Sequence, residues 1–536
     1  MSVVTSGAPF EKLDDEFRKT SKILFGGDVG GLRDFESYLS EYMHRPRAFP
    51  SSVSGKDVYA AGLSYLPSSK FASFDELDWK MKFEPLDINE IKDMDSIVQA
   101  LGERFVYAGN VVLGKSRDVE KSANVTDSFF VYDSSFISKG EYVAYSSFSR
   151  NCKHLFGTHD TGNLSFAVRT INSGGPKGGS RFFESFLITG SSDIFYSHSL
   201  DGCQKCWFSF FQRGKKYLMG NLQLNQPEYA KIEQHLREQI RDDLESKRRT
   251  YSLFDVLRAP KSALPRKLKP VPAAGCDPVQ AKKEVEKAWR STSAVLLGRE
   301  LRRIDAYGKW LTGNVDFYDI AVERSPASGE DVYVVKKYWA LENLPPIFVG
   351  TEKEQLAALT LEKRDLSGNL ASMVRSAGRI AYLSLYYSEN CANLDAPIVC
   401  ANATNGYKTV MAVLTKNSGY SFWPRESVNI FGSSCVFAGS ACINTHYSQN
   451  VARTFEADSV YNSSDLYFCH NVEGLSNGMF CFNVKSMRNA IGNAEYEKES
   501  YMKVKKSLLE QIAGELESKK TLRWSIYSIG AHEAKK

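Results

Sequence analysis

Cysteine is scarce in this chain, and long apolar runs are missing. Ten cysteines in 536 residues are too few for a disulfide scaffold, so free thiols in a reducing compartment are the default expectation. No run approaches the ~20 apolar residues that a membrane-spanning helix needs. The first residues show no basic region followed by an apolar one, so we expect no signal peptide. These features together predict a cytoplasmic protein that does not cross a membrane.

Signatures of nucleotide and metal binding are also missing. The glycine-rich stretch that starts at Phe25 lacks both the Lys-Ser/Thr of a phosphate-binding loop and the GxGxxG spacing. Cys203 and Cys206 form the only CxxC, no second pair of ligands follows, and the related positions in the second half are Leu475 and Gly478. We therefore expect neither a metal nor a cofactor.

What the chain does contain is apolar material for large cores and an uneven charge. Hydrophobic residues make up 43% of the sequence and aromatic residues 12%, which is typical of a folded protein of two to four domains. The net charge is +5, but twelve basic and four acidic residues between Lys247 and Arg290 give that stretch a charge of +8. The rest of the chain is therefore slightly acidic, with a charge of −3.

The second half of the sequence repeats the first half. "RFFESFLITGSSDIFYSHSL" from Arg181 matches "RTFEADSVYNSSDLYFCHNV" from Arg453, 272 residues later. "FRKTSKILFG" at Phe17 matches "WRSTSAVLLG" at Trp289 at the same offset, and "SGKDVY" recurs as "SGEDVY" 274 residues on. Collinear matches at separate places indicate a tandem duplication. We predict a first repeat over 1–247, a basic Pro-rich connector over 248–279 and a second repeat over 280–536.

Each repeat is predicted to be α+β, with three parts. Apolar residues recur every ~12 positions between turn residues, which favours short strands of a parallel β-solenoid with two such units per turn, although an antiparallel meander gives the same spacing. The marked positions are Ile171, Phe183, Phe195, Phe208 and Met219, then Phe431, Ile443, Phe455, Tyr467, Phe480 and Ile491. A terminal amphipathic helix follows each solenoid. The predicted bounds are about 17–110 and 289–385 for mixed α/β regions, about 125–222 and 386–493 for solenoids, and about 226–247 and 498–519 for capping helices. Within the first α/β region a helix is predicted from Ile88.

The pattern "FCHN…MFCFNVK…AIGN" in the second repeat resembles uncharacterised β-solenoid proteins of archaea and small-genome bacteria. The resemblance covers about 418–519 well and 130–247 more loosely. It implies a β-solenoid plan and no activity. The plan of two related domains also resembles archaeal factors that hold ribosomes dormant by engaging both subunits, a likeness of organisation only.

Asp193 and His198, and their counterparts Asp465 and His470, are the candidates for catalysis. Side chains five residues apart lie on opposite faces of a continuous strand, so an intervening turn is needed to bring them together. A serine-capped turn followed by a strand explains the same residues without chemistry. A β-helix enzyme using Asp465 and His470 stays open as an alternative, on the condition that both converge in an open cleft.

The concentration of positive charge in the connector favours nucleic-acid binding. Cations on an extended segment neutralise phosphates, and aromatic side chains stack on bases. We predict a non-enzymatic, bivalent protein that binds ribosomal or other structured RNA, with ribosomal proteins as further contacts. The alternative is an assembly scaffold in which the solenoid faces make protein–protein contacts and the duplication replaces a homodimer. Because the duplication makes the chain a pseudo-dimer, we expect it to be monomeric. The predicted RNA-binding residues are Lys247, Arg248, Arg249, Tyr251, Phe254, Arg258, Lys261, Arg266, Lys267 and Lys269.

Overall fold

The computed structural model describes residues 8–87, 93–264, 267–366 and 368–531 and shows an α+β protein. The helices are α1 Ala8–Phe25, α2 Glu36–Leu39, α3 Met94–Leu101, α4 Gln226–Lys247, α5 Leu253–Arg258, α6 Pro278–Leu297, α7 Gly308–Thr312, α8 Lys353–Leu356, α9 Leu370–Gly378, α10 Lys498–Lys519 and α11 Ile526–Ile529. The predicted start of a helix at Ile88 lies outside the described residues, and α3 begins at Met94 with Asp93 as its N-cap.

Strands fall into two long sheets and several short pairs. The first half contains β1 Arg47–Pro50, β2 Asp57–Ala60, β3 Phe71–Ser73, β4 Tyr107–Gly109, β5 Val112–Leu113, β6 Arg117–Glu120, β7 Ala123–Thr126, β8 Phe129–Tyr132, β9 Ser135–Ala144, β10 Ser147–Phe156, β11 His159–Gly162, β12 Leu164–Asp201, β13 Gln204–Trp207, β14 Lys216–Met219 and β15 Leu222–Gln223. The second half contains β16 Ala321–Arg324, β17 Asp331–Val334, β18 Ser388–Glu389, β19 Ala392–Leu394, β20 Cys400–Ala401, β21 Thr404–Tyr407, β22 Lys416–Gly419, β23 Val428–Phe431, β24 Ser440–His446, β25 Ala452–Tyr461, β26 Ser464–Glu473, β27 Ser476–Met479, β28 Arg488–Ile491 and β29 Ala494–Glu495.

The strands β5–β15, here the first ladder, and β18–β29, the second ladder, pair in parallel over nearly their whole length. Only the final pairs, β14–β15 and β28–β29, are antiparallel. In the second ladder Ser440, Ala452, Ser464, Ser476 and Arg488 are successive partners, each twelve residues after the last. The antiparallel meander is therefore wrong for these ladders. Two units per turn is also wrong, because each residue pairs with the next unit along the chain.

The constant register corrects the marked positions. Tyr467 pairs with Met479, not with Phe480, and Phe195 pairs with Trp207, not with Phe208. The predicted series contains steps of thirteen and eleven residues because Phe480 and Phe208 each lie one residue after the true partner, Met479 or Trp207. With the true partners these steps are twelve residues each. His159 pairs with Ile171, so the first series also extends further back than predicted.

Left-handed backbone at every third residue bends the ladders. In the second ladder Asn405, Lys408, Met411, Leu414 and Asn417 have φ values of 57°, 48°, 56°, 53° and 58°. Such values are uncommon for residues other than glycine. Twelve residues therefore contain four corners, which returns the chain to its starting side. Asparagine amides support one corner column, in which Asn393 donates to Asn405 (2.8 Å), Asn405 to Asn417 (2.7 Å) and Asn417 to Asn429 (2.8 Å).

Serines and apolar side chains fill the inside of each ladder. The Ser134 hydroxyl donates to the Tyr132 carbonyl (2.8 Å) and accepts the Ser146 N–H twelve residues on (3.1 Å). Such a hydroxyl satisfies two backbone groups that would otherwise be buried without a partner. Cys469 and Cys481 lie in the apolar interior of the second ladder and are fully buried.

One unit of the first ladder is longer by three residues. Elsewhere in this ladder the N–H that reaches a serine hydroxyl lies twelve residues on, as for Cys203 with Ser191 (2.9 Å). Across the glycine-rich stretch 174–179, Ile188 N–H instead donates to Ser173, fifteen residues back (3.2 Å). The predicted twelve-residue step from Ile171 to Phe183 spans this insertion and is not a register step.

Long helices pack on the ladders: α1 and α6 lie along several strands, whereas α4 and α10 contact the last parallel strands, β14 and β28. The predicted apolar face of α4 is buried at Tyr229, Leu236, Ile240 and Leu244, and that of α10 at Tyr501, Val504, Leu508, Ile512 and Leu516. Asn225 caps α4 by accepting the Glu228 N–H (2.9 Å). Helix α1 packs on the first ladder and α6 on the second.

The α/β segments are exchanged between the halves. The segment with β1–β4 and α3, here the first α/β segment, shares a core with α6, α10 and the second ladder. Ala108 N–H donates to His470 (3.0 Å), and the Arg104 guanidinium donates to the Gly492 carbonyl (2.6 Å).

The second α/β segment, with β16, β17, α8 and α9, shares a core with the first ladder. Leu361 N–H donates to the Gly220 carbonyl (2.9 Å), and the Asn221 amide donates to the Leu359 carbonyl (2.8 Å). The rings of His44 and Phe317, from the two halves, lie 4.3 Å apart. Each ladder thus packs on the α/β segment of the other half, and the second segment also contacts its own ladder, where the rings of Tyr338 and Phe422 lie 4.7 Å apart.

Candidate functional site

The predicted RNA-binding segment is anchored to the first half immediately after α4. Arg248 ends this helix in the left-handed conformation (φ 57°), with its N–H bonded to Leu244. Ser252 and Asp255 then form a capping box that starts α5. Leu253 N–H donates to the buried carboxylate of Glu184 (2.8 Å). The connector is therefore fixed in place by backbone and side-chain contacts.

Most of its cations stay at the surface, each beside an acid or a carbonyl. Lys247 is paired with Asp243 at 2.6 Å. The Arg248 guanidinium donates to the Val29 carbonyl (2.8 Å). Arg249 lies 3.7 Å from Glu41, and its side chain is 63% exposed. Exposed pairs of this kind contribute about 0–1 kcal/mol, so an incoming phosphate can replace the acid.

Two of the predicted RNA-binding residues, Phe254 and Lys261, have side chains that are engaged in contacts within the protein. Phe254 was predicted to stack on bases, but it is 5% exposed and packs against Tyr42 with ring centroids 4.8 Å apart. The Lys261 ammonium donates to the carbonyls of Leu257 (2.7 Å) and Ala259 (2.8 Å), and burial lowers its pKa to about 8. These two residues are therefore part of the connector's packing and are not available to RNA.

The remaining predicted residues are distributed as follows. Tyr251 is 37% exposed and can still offer its ring. Lys267 and Lys269 are exposed, and the Lys269 carbonyl accepts from the Gln355 amide (2.7 Å). Arg266 lies outside the described residues.

The structure brings Arg249 and Arg258 to a polar cleft of about 490 Å³. Lys337 from the second α/β segment joins them there, and sequence reasoning missed it because no local pattern relates it to the connector. The acids of the cleft are Glu41, Asp255 and Glu342. The cleft thus gathers cations from two distant parts of the chain, with acids beside them.

A buried ion pair lies beneath the connector and contacts it. Arg169 and Glu184 are fully buried and hydrogen-bonded to each other. The guanidinium lies between the rings of Tyr38 and Tyr42, 3.8 and 4.0 Å from their centroids, and donates to Glu41 (2.8 Å). Burial raises the pKa of Glu184, and the charge of Arg169 opposes that rise. Glu184 also accepts from the Leu253 N–H, so the pair fixes the connector from below.

The two candidate catalytic residues do not meet. Asp465 is held by Arg453 through two hydrogen bonds (2.6 and 2.7 Å), and Asp193 is held in the same way by Arg181 (2.6 and 2.8 Å). His470 instead contacts Asp458 (3.0 Å). In both repeats the aspartate therefore forms a structural ion pair with the arginine twelve residues before it.

His470 is 1% exposed and is used on both ring nitrogens. Its Nε2 accepts the Ala108 N–H, so Nδ1 carries the proton and donates to Asp458. Asp458 also accepts from the Tyr65 hydroxyl (2.6 Å). The adjoining cavity is about 10 Å³, room for one water molecule. The open cleft that the enzyme alternative requires is therefore not present at His470.

His198, the counterpart in the first ladder, is also fully buried, and burial lowers its pKa to about 3. Within the described ranges, no cluster of three or more His, Cys, Asp or Glu side chains is arranged to hold a metal ion.

Comparison of the chain with family models, with curated proteins and with solved structures gives no match. Among the helices of the described residues, none has the length and apolar character to cross a membrane.

Proposed function

We propose that this chain is a non-enzymatic, bivalent binding protein of the cytoplasm whose partner is structured RNA or a ribonucleoprotein such as the ribosome. We interpret the two ladders as β-solenoids that arose by tandem duplication. The observation that carries the proposal is the placement of Arg249, Arg258 and Lys337 around one open cleft. Phosphates neutralise such cations without base readout, and the partly exposed Tyr251, two residues after Arg249, offers a ring for stacking.

The exchanged α/β segments support bivalency. They tie the two ladders into one body, so binding by one half raises the effective concentration of the other half at the same particle. A hibernating ribosome, which presents two RNA-rich subunits, is a partner of this kind. The chain itself supplies both halves, and we propose that it acts as a monomer.

The test is RNA binding as a function of salt. The triple variant Arg249→Gln/Arg258→Gln/Lys337→Gln is compared with Lys498→Gln/Lys503→Gln/Lys506→Gln, which removes three exposed cations from α10. Each lost phosphate contact reduces the slope of log K against log salt by about 0.7–0.9. We expect the cleft variant to lose about two units of slope and the α10 variant to keep the wild-type slope.

The measurement is co-sedimentation with ribosomes and with a structured RNA at several salt concentrations. Equal slopes of log K against log salt for the wild type and the cleft variant would show that the cleft is not part of the RNA-binding surface. Absence of salt-dependent binding by the wild-type protein would refute the RNA proposal.

The second candidate function is an assembly scaffold. It is favoured by the segment exchange, which is the arrangement expected where a duplication has replaced a homodimer. Sedimentation velocity over a range of protein concentrations, with and without nuclease, separates the two readings. Self-association that nuclease leaves unchanged supports the scaffold, whereas larger species that nuclease treatment converts to monomers support RNA binding.

A further inference from the structure

The two exchanged contacts are related by the repeat but are not chemically the same. In the second ladder, Asp458 accepts the Tyr65 hydroxyl from the first α/β segment. The residue 272 positions earlier, on the first ladder, is Phe186. Phe186 is fully buried and packs against Trp339 of the second α/β segment, with ring centroids 5.5 Å apart. A polar contact on one ladder therefore corresponds to an aromatic contact on the other.

The neighbouring positions differ in the same sense. Asp316 accepts from the Ser64 hydroxyl (2.5 Å) and from the Leu63 N–H (2.7 Å) of the first α/β segment. At the other crossing, His44 contacts the Lys337 carbonyl (3.2 Å). At these two pairs of related positions, Asp458 and Asp316 accept hydrogen bonds from the first α/β segment, whereas Phe186 and His44 contact the second.

We infer that each half carries a docking surface specific for the α/β segment of the other half, so that the two halves form a complementary pair of protein partners. The connector is then not what holds them together. If the first α/β segment packed on its own ladder, the Tyr65 hydroxyl would face Phe186, and a buried hydroxyl would lose its acceptor. That loss disfavours the unexchanged arrangement and disfavours pairs of identical halves.

The contacts that hold the exchanged arrangement are spread along both ladders. They include the Arg104 contact with Gly492, the last turn of the second ladder, and the corresponding contact of Leu361 with Gly220. Asn483 also donates to the Val106 carbonyl (2.7 Å). Because apolar clusters shared between the halves accompany these bonds, we expect the interface to persist without the covalent link.

The experiment uses the full chain with a protease recognition sequence inserted after Pro270, in an exposed part of the connector. The folded protein is cut and passed through a sizing column at nanomolar concentration. We expect the two fragments to elute together in a 1:1 ratio, at the position of the uncut chain. Separate elution of two single fragments would overturn the inference.

Specificity is tested on the same cut protein. After unfolding and refolding of the 1:1 mixture, native mass spectrometry should detect the mixed pair and no pairs of identical fragments. Asp458→Phe, which places the first ladder's residue on the second, should weaken the fragment complex about tenfold or more, because it removes the acceptor of Tyr65. Arg453→Met, at a surface ion pair, is the matched control and should leave the affinity within twofold. Pairs of identical fragments, or equal effects of both variants, would refute the specificity.

Discussion

The buried Arg169–Glu184 pair provides the sharpest test of how the connector is held. Both side chains are 0% exposed, and Glu184 accepts hydrogen bonds from Tyr42 (2.7 Å) and from the Leu253 N–H (2.8 Å) as well as from Arg169. Removing one member of a buried pair leaves an uncompensated charge and costs about 3–5 kcal/mol. Because three other donors, the hydroxyls of Tyr38 (3.1 Å) and Tyr42 and the Leu253 N–H, still reach Glu184, we expect Arg169→Met to cost about 3 kcal/mol, the lower end of that range.

Two further variants are compared with Arg169→Met. Arg453→Met breaks the exposed pair with Asp465, where the arginine side chain is 47% exposed, and should cost no more than about 1 kcal/mol. The double change Arg169→Met/Glu184→Gln removes both charges while keeping an acceptor for Leu253. It should be more stable than Arg169→Met alone, since a neutral replacement of a buried pair is often tolerated.

The assay is urea unfolding at equilibrium, followed by far-UV circular dichroism and by hydrogen exchange at the Leu253 amide. Arg169→Met should lower the unfolding midpoint and also speed exchange at Leu253, because the ionised carboxylate loses the cation that fixes it. An Arg169→Met protein no less stable than Arg453→Met, with unchanged exchange at Leu253, would show that this pair does not anchor the connector.

Two further predictions concern the ladders. Ser134→Ala should lower the free energy of unfolding by about 1–3 kcal/mol in the urea assay, because the Ser146 N–H and the Tyr132 carbonyl lose their partner inside the ladder. Ser486→Ala, at an exposed corner, is the control and should change stability by less than about 0.5 kcal/mol. Equal effects of the two variants would refute the stabilising role of the interior serines. Burial raises the pKa of Asp395 from 3.8 to about 6, so the folded state binds this proton more tightly than the unfolded state. Relative to Asp395→Asn, the wild-type protein should therefore be most stable below about pH 4 and should lose that stability as the pH rises through about 6. Urea midpoints at pH 4 and pH 7 measure this difference, and parallel pH profiles for the two proteins would contradict it.

The parts of the fold that depend on local or periodic information could be predicted from the sequence. The buried faces of α4 and α10 follow from a period of 3.6 residues, and the spacing of the strands follows from turn residues and apolar residues. The number of units per turn could not be predicted, because a spacing of twelve residues is compatible with several ways of coiling. Bulky residues such as Phe130 and Tyr142 occupy left-handed corners (φ 54° and 58°), where propensity alone would not place them. Pairing with the neighbouring strands outweighs that local preference.

The exchange of the α/β segments could not be read from the duplication. Two similar copies give no information about which segment packs on which ladder, since that choice depends on a few diverged pairs such as Tyr65 with Asp458. The site shows the same limit. Arg249 and Arg258 were found through charge, but Lys337 reaches the cleft only through the exchange. The burial of Phe254 does have a signal in the sequence, namely the capping box of Ser252 and Asp255 before a short apolar helix.

Corners at every third residue give each ladder a reading frame. An insertion of one or two residues would turn every later interior side chain toward a corner or toward solvent, much as a frameshift alters every later codon. An insertion of three adds one more side to a single turn and leaves the following turns in phase. The longer unit at residues 174–179 is such an in-frame event, since the twelve-residue pairing resumes at Ser192 with Gln204. Length variation in ladders of this kind should therefore come in steps of three residues, a rule that an engineer lengthening or shortening them can use directly.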